Sequence, residues 1–129
     1  MILGIGLDLC GLERMSRAIE KPHFVDRVYT PAEAERIRGA SLNRRPEIAA
    51  GLFAAKEAVA KALGTGLTGF GPADIEVTPD DAGCPRCTLS GGALARASLL
   101  CGEGALFNVW VSITHDRGTA AAVAVIERV

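Results

Sequence analysis

The sequence predicts an α+β domain. Three observations lead there: a period-two apolar alternation at the start of the chain, three- and four-residue apolar spacing with helix caps after it, and an order of strand, helices, strands, helix, strands. That order fits a mainly antiparallel sheet packed with helices better than a parallel βαβ series.

From Met1 to Leu9 the alternation puts Leu3, Ile5, Leu7 and Leu9 on one face and Gly4, Gly6 and Asp8 on the other. Two glycines beside one carboxylate leave room for something to approach the strand, either a ligand or a neighbouring helix. Leu12 to about Lys21 reads as a helix on which Arg14, Arg17 and Lys21 form one basic stripe, a solvated face or a docking surface. His23, beside Pro22 at what reads as the end of that helix, carries no role. At Thr30 a helix opens with Thr as N-cap, Pro31 in the first turn and Glu33 closing a capping box; it fades by Gly39.

The central helix runs from about Pro46 to Leu63, with Ile48, Leu52, Ala55, Val59 and Ala62 as its apolar stripe and Gly64 as its stop. Asp74 to Thr78 and Cys87 to Leu89 read as strands joined by a turn over residues 79–83. Ser90 suits the cap of a third helix with its body from Ala93 to Cys101. Phe107 to Thr114 and Ala120 to Ile126 are strands joined by a turn at Asp116, Arg117 and Gly118.

The 129 residues fit one domain spanning 1–129, and with 49% hydrophobic residues it can bury a core without metal or disulfide staples. A net charge of −1 with one Trp and one Tyr argues against a general nucleic-acid binder. No run of about 18 apolar residues suggests a membrane span and no secretory leader is evident, so the expected location is the cytoplasm. In that setting Cys10, Cys84, Cys87 and Cys101 are expected as reduced thiols, and the single CxxC of Cys84 and Cys87 as part of a turn entering a strand.

The charges of the central helix need a further reason. Glu57 and Lys61 stand four apart with the acid first, yet such an exposed pair contributes only about 0.3–0.5 kcal/mol. Asp8 and Glu57 could instead hold one hard cation, since Mg²⁺ takes one or two protein carboxylates and completes its shell with water and phosphate oxygens. Lys56, Lys61, Arg44 and Arg45 would then neutralise a polyphosphate beside the open backbone at Gly64, Thr65 and Gly66. His115, at a strand end, is a second candidate, either structural or a ligand contact.

The blocks GIGLDLCGLERM, RVYTPAEAE, FAAKEAVAKALGTG, GPADIEV and VSITHDRGTAAAVAVIE, in this order over nearly the whole chain, together resemble the bacterial holo-[acyl-carrier-protein] synthases, the short 4'-phosphopantetheinyl transferases. The resemblance implies that family's fold and its reaction, the magnesium-dependent transfer of 4'-phosphopantetheine from coenzyme A to a serine of apo acyl carrier protein, with release of adenosine 3',5'-bisphosphate, in fatty acid biosynthesis. It assigns Mg²⁺ to Asp8 and Glu57, and a coenzyme A cradle to Lys61, Gly64, Thr65 and Gly66. His115 becomes a nucleotide contact, and Arg14, Arg17 and Lys21 meet the acidic carrier protein. It further implies a homotrimer with active sites between subunits. The base that takes the serine proton stays open among Glu57, Asp116 and a water on the metal, and the third metal ligand is unassigned. Thr119 departs from the aromatic common there in the family. A non-catalytic coenzyme A sensor of the same fold is the alternative, as is a small interaction domain working through the basic stripe alone.

Overall fold

The computed structural model describes all residues, 1–129. Strand β1 (Ile2–Gly11) leads into three short helices, α1 (Leu12–Ala18), α2 (Pro22–Val28) and α3 (Pro31–Gly39), and then the long α4 (Arg45–Ala62). A 3₁₀ turn (Pro72–Asp74) precedes the hairpin β2 (Ile75–Pro79) and β3 (Pro85–Leu89); α5 (Gly91–Cys101), β4 (Phe107–Asp116) and β5 (Thr119–Arg128) complete the chain. The main sheet is antiparallel in the order β1-β5-β4, with β2 and β3 forming a separate antiparallel pair.

What fills the bare face of β1 is α4. A methyl group at Gly4 would stand 1.8 Å from the Ala62 carbonyl oxygen, and one at Gly6 1.8 Å from that of Ala58. The neighbouring strand continues the surface with Ala120, Ala122 and Ala124, all buried. Against it α4 sets Ala54, Ala55, Ala58 and Ala62, so helix and sheet meet almost main chain to main chain. The opposite face is apolar and uncovered: Ile5, Leu7 and Leu9 are 65%, 63% and 66% exposed. The register Leu7 to Val123 and Ile5 to Val125 extends that surface across β5.

The first helix is shorter than its spacing suggests. It stops at Ala18, and Pro22 opens α2 instead of ending α1, taking the first-turn position where a missing N–H costs nothing. Phe24, Val25 and Val28, packed towards the core, were the available signal. The capping box of α3 forms as expected, Thr30 Oγ1 accepting from Glu33 N and Glu33 Oε1 accepting from Thr30 N. Ser90 stands at the start of α5 but its hydroxyl does not cap it. The carboxylate of Asp74 accepts from Gly92 N at 3.2 Å and does so in its place. The four thiols are free, with Cys10 and Cys101 buried, and burial pushes Cys87 on β3 up to about 12.

Candidate active site

The strand carrying Asp8 and the helix carrying Glu57 and Lys61 are locked together by the glycine contacts just described. Lys61 Nζ donates to Asp8 Oδ1 at 2.9 Å and to the Leu7 carbonyl at 3.0 Å. Glu57, one helical turn before Lys61, shares its side of α4. Burial raises the Glu57 carboxyl above its ordinary range, the nearby charge of Asp8 raises it further, and Lys61 and Arg14 partly offset both. The two acids thus converge from residues far apart in the chain and repel one another.

This donor set fits a hard divalent cation. Its ligands are carboxylate oxygens, their number is the one or two that Mg²⁺ takes from protein, and a bound cation would relieve their repulsion. No third His, Cys, Asp or Glu joins them, which leaves the remaining positions to water and phosphate oxygens.

Just past the end of α4, Gly64 and Gly66 adopt left-handed φ values of 88° and 60°. Gly66 N donates to the Ala60 carbonyl at 3.1 Å, folding the turn back over the helix end beside Lys61.

His115 lies elsewhere on the chain. It lines a cavity of about 220 Å³ with Arg36, Arg44, Glu47, Gly51 and Pro79, and its Nε2 is 3.8 Å from Glu47 Oε2. Glu47 and Glu57 are ten residues apart on one helix, hence about 15 Å along its axis. Within one chain the structure brings Asp8, Glu57 and Lys61 together, and Arg44 with His115, as two separate clusters. Arg36 and Glu47 escaped the sequence reading because each resembles an ordinary helix-end charge, a cation late in α3 and an acid in the first turn of α4.

One assignment changes, and two side chains sit elsewhere than their spacing suggests. Lys56 is fully buried and binds no polyphosphate: its ammonium pairs with Glu33 Oε1 at 2.6 Å and donates to the carbonyls of Pro72 and Ile75. Arg45 is absent from the lining of the His115 cavity and donates to the carbonyls of Ala40 and Arg38 at the end of α3, at 3.0 and 2.7 Å. Lys21 is off the stripe, since it precedes α2 as its N-cap. Of the remaining two, Arg14 stacks 5.6 Å above the Phe53 ring of α4, while Arg17 stays on the exposed side of α1 near Glu13.

The family follows from comparison. The chain belongs to the 4'-phosphopantetheinyl transferase superfamily, whose model matches residues 4–124. Among curated relatives, the holo-[acyl-carrier-protein] synthase of Clostridium novyi (strain NT) is 44% identical over 128 residues, covering 98% of this chain and 88% of the relative. Two solved structures agree in fold. The holo-[acyl-carrier-protein] synthase of Neisseria meningitidis superposes with a TM-score of 0.83 at 33% identity, covering 98% of this chain and 99% of that one. That of Bacillus anthracis str. Ames, in complex with CoA (3',5'-ADP), gives 0.80 at 35%, covering 98% and 97%.

Proposed function

We propose that this enzyme transfers 4'-phosphopantetheine from coenzyme A to a serine hydroxyl of apo acyl carrier protein, with Mg²⁺, and so serves fatty acid biosynthesis. The observation that carries the reading is the convergence of Asp8, Glu57 and Lys61 at the junction of β1 and α4. The relatives' shared activity and the coenzyme A bound in the Bacillus anthracis structure support the choice of donor and acceptor.

In this reaction the serine oxygen bonds to the phosphorus bearing the pantetheine arm. The bond from that phosphorus to the bridging oxygen breaks, and adenosine 3',5'-bisphosphate leaves. Such a transfer asks mainly for positioning and charge neutralisation. Held by Asp8 and Glu57, Mg²⁺ would supply Lewis acidity and a template for the diphosphate. Lys61 orients Asp8 through their 2.9 Å contact and adds positive charge beside the leaving oxygens. The serine proton needs an acceptor, and three are open to it: Glu57 in this cluster, Asp116 at the β4–β5 turn beside Arg117, and a water on the cation.

The active assembly we propose is a homotrimer with shared sites. The uncovered face of Ile5, Leu7 and Leu9 supplies an apolar surface for contact between copies. The cluster of Arg44 and His115, beside Glu47 and so about 15 Å along α4 from Glu57, then completes a neighbour's coenzyme A site. Arg14 and Arg17 provide charge for an acidic carrier protein. No helix is long and apolar enough to cross a membrane, in keeping with work in the cytoplasm. The test is to incubate the protein with apo carrier protein, coenzyme A and Mg²⁺ and to follow the carrier by mass spectrometry. A phosphopantetheine mass gain is expected; tight coenzyme A binding without any gain on several carriers would leave a sensor in place of an enzyme.

A further inference from the structure

Helix α5 lies outside the acidic cluster, yet one of its side chains reaches the end of α4. Arg96 Nε donates to the Leu63 carbonyl at 2.8 Å. Its Nη2 lies 3.1 Å from the point where a side chain on Gly64 would begin. The guanidinium therefore rests on the first glycine of the Gly64–Gly66 turn.

The carbonyls at this helix end are shared out among different donors. That of Ala60 accepts from Gly66 N and that of Lys61 from Gly64 N, both within the turn. Leu63 O receives instead the charged Arg96, and a cation at a helix C-terminus also complements the partial negative charge there. The segment that follows is fastened to α5 at its far end too. The Asp74 carboxylate accepts from Gly92 N and the Asp74 carbonyl from Ser90 N, while Gly92 packs under Phe70. Between those fastenings Gly64, Gly66 and Gly69 are left-handed and Leu67 packs against the core, but residues 64–66 place no side chain there, and Arg96 ties that start to α5.

We infer that Arg96 is a positioning residue for the donor: from α5 it fixes the direction in which the Gly64–Gly66 turn leaves α4, and thereby the backbone that receives coenzyme A beside Lys61. This rests on the transferase reading above. Arg96 acts through Leu63 and Gly64 and touches no reacting atom.

The test compares wild type with Arg96→Met, Arg96→Gln and Arg96→Lys. The KM for coenzyme A should rise about three- to tenfold in the Met and Gln variants, the loss expected of one charge-assisted contact. The KM for apo carrier protein and kcat at saturating coenzyme A should be unchanged, and Lys, which can still reach the Leu63 carbonyl, should restore part of the loss. Coenzyme A binding by calorimetry should weaken by the same factor, with circular dichroism unaltered. If the Met variant does not fold, the Gln variant, which keeps a polar tip, decides. A folded variant that binds coenzyme A as wild type does removes Arg96 from this role and leaves the transferase standing. Wild type that takes up no coenzyme A brings down both.

Discussion

Lys61 Nζ stands 2.9 Å from Asp8 Oδ1, a contact between residues 53 positions apart that joins the first strand to the central helix. Asp8→Ala and Glu57→Ala should each lower turnover by about a hundredfold or more, since each removes a carboxylate expected to hold the cation that supplies several kcal/mol of charge stabilisation. Neither side chain is fully buried, so both variants should fold, with circular dichroism unaltered. A variant with near-normal phosphopantetheine transfer would strike that residue from the metal site.

The raised Glu57 carboxyl gives a pH signature. Glu57 binds its proton more readily folded than unfolded, so its contribution to stability is present below the ordinary glutamate range and lost as pH rises through the higher folded value. With metal chelated, Glu57→Gln should therefore raise the urea midpoint at neutral pH and leave it unchanged in acid. Adding Mg²⁺ should shrink or reverse the neutral-pH gain, because the cation binds only the ionised acid. Equal midpoints for both proteins at all pH values would mean that Glu57 is not held against its charge.

Lys56 and Glu33 form a pair with almost no solvent contact, and burial lowers the lysine's affinity for its proton while Glu33 partly restores it. Lys56→Met leaves Glu33 charged and stranded, and should cost about 3–5 kcal/mol in chemical denaturation. Adding Glu33→Gln removes that charge and keeps an acceptor for one of Thr30 N and Val77 N, which bond different oxygens of Glu33, and should recover part of the loss. A mild effect of the single change would show that water reaches the pair.

At Gly6 an added methyl would overlap the Ala58 carbonyl. Gly6→Ala should destabilise by about 3 kcal/mol or more, at or beyond the upper end for overpacking, because main chain cannot yield as a side chain does. Gly11→Ala, which meets nothing within 4 Å, is the control. Similar melting temperatures for the two would indicate that α4 is free to lift from β1.

Leu7→Lys places a charge on the uncovered apolar face and should convert a trimer to monomers in sedimentation, with activity falling in step if sites are shared. A mutant that sediments and works as wild type does would place the subunit contact elsewhere.

Local signals were legible where the chain closes its own hydrogen bonds. The Thr30 and Glu33 capping box and the glycine stop after α4 needed only residues nearby. The alternation of β1 separated two faces correctly, but which of them turns inward depends on a partner: the alanines of α4 want a surface without side chains, so the glycines go in and the leucines out. Lys56 was misread for the same reason. Its partners are a glutamate on α3 and two carbonyls beyond residue 70, and no spacing along α4 reveals them. Pro22 suits either a helix end or a helix start, and the second start so soon after α1 hid α2. Resemblance reached Asp8 and Glu57, which spacing alone could not join.

The seating of α4 on Gly4 and Gly6 has a consequence for the proposed magnesium site. The bite between Asp8 and Glu57 would be set by the contact of two backbones, a dimension that substitutions deeper in the core do not alter. Preference for a small cation over a larger one would then be inherited from strand and helix geometry, and wear elsewhere in the molecule would erode lifetime before it widened that grip.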